Sequence, residues 1–146
     1  FTKTTSRALL QWFPQAASDD YKATVLFQAG KLGGDAPFDE YFALGLDRDH
    51  EFLLRGHPGT RDGRKGEGPV GSGFILWNVD LQKSVLKQGL FTVGAGPFVD
   101  VARIAGAEQG FIDTGIQLRL SLISGITLGF SYGRDLQTGR SAFFYR

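Results

Sequence analysis

The sequence predicts an all-β fold, an antiparallel β-barrel that spans a membrane, and three observations lead to this prediction. Apolar residues recur at every second position in segment after segment, which is the period of a β-strand rather than of a helix. No run reaches the roughly 18 apolar residues that a membrane-spanning helix needs. The connections between the segments are short and long in turn, as in barrels with tight turns on one side of a membrane and long loops on the other.

The clearest strand is predicted over 111–122, where one set of alternate residues, from Ile112 to Leu122, is apolar apart from one threonine. The residues between them are polar or glycine, so the two faces of this strand differ sharply. A turn at Ser124-Gly125 and a second alternating segment complete a hairpin. With this pair, about eight strands are predicted, at 7–13, 21–30, 40–47, 73–82, 90–102, 111–122, 126–133 and 140–145.

The two predicted faces favour a membrane barrel over a soluble sheet protein. Glycine, serine, threonine and isolated charges dominate the polar face, which suits a barrel lumen, and four aromatic residues are expected near strand ends at the membrane interface. A soluble eight-stranded barrel or sandwich remains the alternative, because its strands alternate in the same way. The four aromatic residues are Trp12, Trp77, Tyr132 and Tyr145.

The amino-acid composition excludes several classes of partner and of metal site. The formal net charge is +1 and the basic residues are scattered, so no nucleic-acid partner is predicted. The absence of cysteine excludes disulfides and thiolate metal sites. We treat residues 1–146 as one domain without an internal linker, and, since no signal peptide is recognised, as a mature product or a cut fragment.

The connection at 48–72 carries the most specific motif, Phe52-Leu53-Leu54-Arg55-Gly56-His57, followed by a run rich in glycine and charge. Three further motifs accompany it: Phe42-Ala43-Leu44-Gly45, Val79-Asp80-Leu81 and Phe98-Val99-Asp100. In this order they resemble the barrel of the bacterial surface-antigen superfamily, which includes BamA-like insertases, TamA-like assembly factors and two-partner secretion transporters. The resemblance is most specific from about 40 to 135, and it implies the C-terminal half of a sixteen-stranded barrel, without the POTRA repeats that normally precede it.

The resemblance also implies a set of site residues. In that family a long external loop folds back into the lumen, and the arginine that corresponds to Arg55 pairs with acids on the lumen wall that correspond to Asp80 and Asp100. Alternation independently assigns both acids to the inward face. A guanidinium makes a bidentate, charge-assisted fork to a carboxylate that lysine cannot reproduce, and Gly56 is expected to permit a tight backbone conformation. We call the contacts that would hold this loop in the lumen the lock. The residues predicted to form it are Leu54, Arg55, Gly56, His57, Asp80, Phe98 and Asp100.

This sequence departs from the family pattern at three places. His57 stands where an aromatic residue is usual, and Ala102 stands where the motif around Asp100 has glycine. The family ends in a terminal aromatic residue, whereas Arg146 follows Tyr145 here, so we expect a trimmed or altered C-terminal signal.

No catalytic residue, cofactor or metal site is predicted, because the serines lack a nucleophile-elbow context and the glycine-rich run Gly63 to Gly68 lacks a Walker ending. Asp47, Asp49 and His50 are conceivable metal ligands, but no site is predicted there, since acids ahead of a loop are usually solvated.

The expected function is therefore that of a non-enzymatic component of an outer-membrane pore that inserts, assembles or translocates proteins. Its expected partners are outer-membrane lipid, client β-barrel or secreted proteins, and either the other half of the barrel or further copies of the chain. The localisation that follows is the bacterial outer membrane. The alternatives are a small structural or adhesive barrel, and the barrel anchor of a larger enzyme such as a patatin-type lipase.

Overall fold

Seven long strands form a single antiparallel sheet in the structure, a computed structural model. The strands follow one another along the chain and across the sheet, and one long connection between the second and third of them holds four two-residue strands. The structure describes residues 1–15, 18, 20–45, 52–57, 60–61, 64–65, 68–122 and 125–145. The strands are β1 (Thr2–Trp12), β2 (Tyr21–Gly33), β3 (Phe42–Ala43), β4 (Thr60–Arg61), β5 (Arg64–Lys65), β6 (Val70–Gly71), β7 (Gly73–Gln88), β8 (Phe91–Ile104), β9 (Phe111–Leu122), β10 (Thr127–Asp135) and β11 (Ser141–Tyr145).

The all-β, antiparallel prediction is confirmed, whereas closure into a barrel stays a prediction. The order of the sheet is β1-β2-β7-β8-β9-β10-β11, so β1 and β11 are its two edges. No pairing joins these two edges within the described part of the chain. Among the same residues, no helix is long and apolar enough to cross a membrane.

The predicted strand at 40–47 is wrong as a strand of the sheet. Phe38–Glu40 form a 3-10 turn, and the two residues of β3 pair with β6 inside the long connection. Phe42 and Leu44 are each only 1% exposed. Their alternation with Ala43 arises because both side chains pack on the inner face of the sheet, and not because the segment crosses with the other strands. Residues 46 and 47 lie outside the described residues.

The connection predicted near 84–89 is shorter than expected. β7 continues to Gln88 through an irregularity between Ser84 and Leu86, and the turn consists of Gly89 and Leu90. Gly89 has a φ of 52°, a left-handed conformation that glycine adopts without a steric penalty. Two of the predicted interface aromatics, Trp77 and Tyr132, lie inside their strands rather than near the ends.

The two faces of the sheet differ as the alternation predicted. On β7 the side chains of Phe74 and Leu76 are buried, while Ile75 and Trp77 between them are 49% and 44% exposed. β8 repeats the pattern. We call the face that carries the buried set the inner face, and the long connection that follows β2 packs against it.

A hydrophobic core covers the inner face only at one end of the sheet. This covered end is where the chain enters and leaves the long connections after β2, β8 and β10. Rings of Phe42 and Phe52 lie 4.9 and 4.5 Å from the ring of Phe74, so the connection contributes aromatic side chains to the core. The buried members are Leu32, Phe42, Leu44, Leu54, Phe74, Leu76, Ala102 and Ile104.

At the opposite end, the open end, the inner face lines a polar cleft of about 460 Å³. Side chains of β1, β2, β7 and β9 form its walls, and Arg55 lies at its boundary with the core. The site described next therefore lies between a packed region and a hydrated one. The polar and charged side chains lining the cleft include Arg7, Gln11, Lys22, Thr24, Gln28, Asp80, Gln82, Gln117 and Arg119.

Candidate functional site

Four polar side chains form a row across the inner face of neighbouring strands. Asn78 on β7 is paired with Asp100 on β8, Asp100 with Asp113 on β9, and Asp113 with Asp135 on β10. All four are buried, with exposures of 3%, 0%, 0% and 2% in that order. Because directly paired residues point to the same face of a sheet, three carboxylates are brought side by side away from water. Such a row is unfavourable unless partners neutralise it.

Arg55 supplies the partner for two carboxylates of the inner face. Its Nε donates to Asp100 Oδ2 at 2.9 Å and its Nη2 donates to Asp100 Oδ1 at 2.6 Å. The third guanidinium nitrogen, Nη1, donates to Asp80 Oδ1 at 2.6 Å. The backbone N–H of Arg55 adds a bond to Asp100 Oδ2 at 3.0 Å. The contact with Asp100 is thus a bidentate fork, the strongest geometry available to this pair of side chains.

The surroundings of Arg55 keep it charged although it is only 5% exposed. Burial alone would lower the pKa of Arg55, but the hydrogen bonds and charges of Asp100 and Asp80 outweigh burial, so the pKa lies above its ordinary value. The guanidinium carbon also lies 3.7 Å from the centre of the Phe98 ring, a cation–π contact. Phe98, one of the predicted site residues, therefore packs its ring against the guanidinium group of Arg55.

Two glycines allow the loop to approach the sheet. A Cβ on Gly56 would lie 2.6 Å from both Asp113 Cγ and the backbone nitrogen of Asp135, and a Cβ on Gly133 would collide with the carbonyl of Arg55. Gly56 is not among the glycines with positive φ. The reason for glycine at this position is therefore lack of space, and not the tight backbone conformation that the sequence suggested.

Gly56 and His57 continue along the row. The N–H of Gly56 donates to Asp113 Oδ2 at 2.5 Å. His57 contacts the same oxygen through Nδ1 at 3.1 Å and lies 3.6 Å from Asp135 Oδ2 through Nε2. Its ring also meets the edge of Phe111, with centroids 5.3 Å apart. Arg55, Gly56 and His57 thus contact β8, β9 and β10 in turn.

Leu54 anchors the lock in the core, since its side chain is fully buried among core residues. The predicted site residues Leu54, Arg55, Gly56, His57, Asp80, Phe98 and Asp100 are all brought together by the fold. Ala102, which stands in place of the family's glycine, is 3% exposed and belongs to the core. The alternative metal ligands Asp47, Asp49 and His50 lie outside the described residues.

Sequence reasoning missed four participants in the site. Asn78 Nδ2 donates to the carbonyl of Leu53 at 2.7 Å and to Asp100 Oδ1 at 2.8 Å, which fixes the loop and the carboxylate together. The signal was present, because Asn78 lies two residues before Asp80 on the same face. The other missed residues also belong to the polar set of their strands: Asp113, Gln117, whose Oε1 lies 3.4 Å from Arg55 Nη1, and Asp135.

Comparison with protein-family models, with curated proteins and with solved structures finds no match for this chain. The resemblance to the surface-antigen superfamily therefore remains a prediction that rests on the motifs quoted above. What the geometry can do is hold a loop against a sheet: a buried cation bridges two carboxylates, and the backbone N–H groups of Arg55 and Gly56 donate to Asp100 and Asp113.

Proposed function

We propose that this chain forms part of a transmembrane β-barrel of the surface-antigen type in a bacterial outer membrane, and that the barrel is a pore component that inserts, assembles or translocates other proteins. No cofactor takes part. The loop that carries Arg55 folds into the lumen and is locked to Asp80 and Asp100, so that it shapes the passage. Its partners are outer-membrane lipid and client β-barrel or secreted proteins.

The bridged position of Arg55 carries this proposal. An exposed ion pair contributes little, because water solvates both groups and salt screens them. Here the guanidinium and Asp100 are withdrawn from water and joined by a fork, so removal of either partner leaves an uncompensated charge in a buried place. Withdrawing these charges from water costs desolvation free energy, and we infer that the arrangement is kept because the position of the loop matters to the protein.

The outward face of the sheet supports a membrane setting. Its exposed apolar side chains form a continuous surface across neighbouring strands, which a soluble monomer rarely presents to water. Paired positions such as Trp77 and Val101, or Ile116 and Tyr132, extend the surface from strand to strand. Lipid would cover it without cost. Exposed members include Ile75, Trp77, Leu81, Val99, Val101, Ile112, Ile116, Leu118, Leu128, Tyr132, Phe143 and Tyr145.

The two open edges support the involvement of further strands. β1 is exposed along its whole length, and among the residues that the structure describes β11 pairs only with β10. In lipid each unpaired backbone group costs several kcal/mol, so the edges require strands from the other half of the barrel, from further copies, or from each other. An edge that can open would pair with an incoming client strand.

The position of the loop bears on the alternatives. A small structural or adhesive barrel has an interior nearly filled by side chains and would keep this loop outside; the burial of Leu54 and Arg55 against the sheet favours the larger pore. The anchor of an enzyme such as a patatin-type lipase would use the same lock, and only an assay of client proteins separates it from the pore.

The test replaces Arg55 in the full-length protein and measures client insertion into proteoliposomes. We expect Arg55→Ala to destabilise the folded protein by about 3–5 kcal/mol, because two inner-face carboxylates lose their cation, and to impair insertion. Arg55→Lys should also impair it, since lysine cannot form the fork. The matched control is Arg103→Ala, an exposed arginine on the outward face of β8.

A double variant separates stability from the lock. Asp100→Asn combined with Arg55→Ala removes the unpaired charge at the fork, so it should recover part of the stability without restoring insertion. Unchanged insertion by Arg55→Ala, with the loop still protected from protease, would contradict the proposed lock.

A further inference from the structure

We propose that His57, Asp113 and Asp135 form a binding site for one divalent metal ion of the zinc class, which ties the tip of the loop to β9 and β10. The proposal concerns the far end of the carboxylate row, away from Arg55. It holds whether or not the protein is a pore, because it depends only on the contacts of these three side chains.

The donor atoms are already close enough for a common ion. One donor from each residue lies within 4.8 Å of the others, and the two contacts of the imidazole measure 3.1 and 3.6 Å. Bonds of about 2.0–2.2 Å to a tetrahedral zinc ion place its ligand atoms roughly 3.3–3.6 Å apart. Because an ion binds one ring nitrogen and the acids face different ring nitrogens, one side chain rotates on binding.

The charges of the side chains at this place favour a bound cation. Asp113 and Asp135 bring two buried carboxylates to this place, and the guanidinium of Arg55 is bound to Asp100 and Asp80 instead. Among the side chains that the structure describes, His57 is the one basic group within 4.0 Å of either carboxylate. A neutral imidazole leaves the cluster at −2, and one divalent ion balances that charge.

An unpartnered oxygen supports the site independently. Asp113 is fully buried, and its Oδ1 has no hydrogen-bond partner within the described part of the chain. Buried carboxylate oxygens without a partner are rare and call for an explanation such as an ion. Coordination to a metal ion would satisfy this oxygen.

Hydrogen bonds already orient the two carboxylates, as bonds from neighbouring groups do around metal ligands. Asp113 Oδ2 accepts from the N–H of Gly56, and Asp135 accepts from the backbone of Gln137 and from the hydroxyl of Thr138. One imidazole with two carboxylates suits zinc and its neighbours in the transition series better than calcium or magnesium, which prefer oxygen alone.

A proton is the alternative source of positive charge, because an imidazolium can donate from both ring nitrogens, one to each acid. A bound metal ion and a bound proton can be distinguished by experiment. A metal site binds zinc with defined stoichiometry and releases it as the solution is acidified, whereas a proton bridge binds no metal.

The experiment titrates zinc chloride into the full-length protein in detergent, near neutral pH, by calorimetry. We expect one zinc ion per chain at this site and a rise in thermal midpoint on binding. His57→Phe, which keeps a ring against Phe111, and Asp135→Asn should each weaken zinc binding at least tenfold. His50→Phe is the matched control, as it removes the other histidine of the chain, and it should leave binding unchanged.

Cobalt substitution adds a spectroscopic check on the wild-type protein, which does not depend on how the variants fold. The visible absorption of bound cobalt should show nitrogen and oxygen ligation with four-coordinate intensity. Three results overturn the proposal: no zinc bound by the wild type, binding that survives both His57→Phe and Asp135→Asn, or binding that is lost in His50→Phe.

Discussion

The covered end and the open end of the inner face are built from the same strands, yet they differ in what holds them. Along β7, inner-face residues Phe74, Leu76 and Asn78 are at most 4% exposed, whereas the side chain of Asp80, the next inward position, is 25% exposed. Beyond it the inner face borders the polar cleft. The long connection supplies the difference, because its Phe42, Leu44 and Leu54 pack only over the first part of the strand.

Strand alternation therefore sets which face a residue occupies, while the connection sets whether that face is packed. At the covered end the free energy of folding comes from apolar burial, and the bridged Arg55 fixes the position of the loop. At the open end the same face carries solvated polar groups.

The largest difference is expected between two leucines on either side of the boundary. Leu54→Ala should cost about 2–5 kcal/mol of unfolding free energy, because a fully buried side chain is replaced by a cavity. Leu9, which lines the cleft, is 55% exposed, and Leu9→Ala should stay within about 0.5 kcal/mol of the wild type. Denaturant titration of the refolded full-length protein in micelles measures both. Equal effects would mean that the loop does not pack where the structure places it.

A smaller difference is expected between two amides of β7. Asn78→Ala should cost about 1–3 kcal/mol, since the carbonyl of Leu53 and Asp100 lose their donor in a buried place. Gln82→Ala, four residues along the same face and in the cleft, should change stability by less than about 0.5 kcal/mol. The same titration, combined with limited proteolysis of the loop, tests this pair. A loop as protected in Asn78→Ala as in the wild type would argue against the amide as a tether.

The smallest effect is expected at an ion pair of the open end. Lys87 Nζ lies 2.7 Å from Asp20 Oδ1, with both side chains 44% exposed. The hydrogen bond from Lys87 lowers the pKa of Asp20 below its ordinary value. A lowered pKa stabilises the fold above the unfolded pKa, and that stabilisation is lost as pH falls through the folded pKa.

For an exposed pair this contribution is small. Asp20→Asn should therefore lower the thermal midpoint at neutral pH only slightly, and this small difference from the wild type should disappear in acid solution, where Asp20 is protonated in the folded and the unfolded state. A pH series of thermal melts checks it. A clear loss of stability at neutral pH would show that the open end is held by its ion pairs after all.

The sequence was sufficient for the features that follow from period-two patterning and from the motif. Alternation places Asp80, Phe98 and Asp100 on one face, and the motif around Arg55 supplies their partner. The prediction of a strand at 40–47 was wrong. Phe42 and Leu44 are apolar because their side chains pack on the sheet, and not because the segment is one of its strands.

Four residues of the site were missed for a different reason. Asp113 was visible as a polar residue of its strand, whereas Asp135 lay beyond the predicted strand 126–133 and joins β10 only in the structure; the lateral alignment of both with Asp100 depends on strand register. Register is set by turns and bulges that single-sequence patterns leave open. Asn78 escaped notice since its role depends on the carbonyl of Leu53, a backbone group that sequence letters do not reveal.

The alignment of the carboxylate row has a mechanical consequence. Strands lie about 4.8 Å apart, so the loop residues 55–57, which contact β8, β9 and β10 in succession, run across the strands and act as a cross-brace. Any sideways spreading of these three strands would stretch every contact of the brace together, and release of the brace would in turn free the strands to separate. Loop position and lateral strain in the wall are thereby coupled through a single tripeptide.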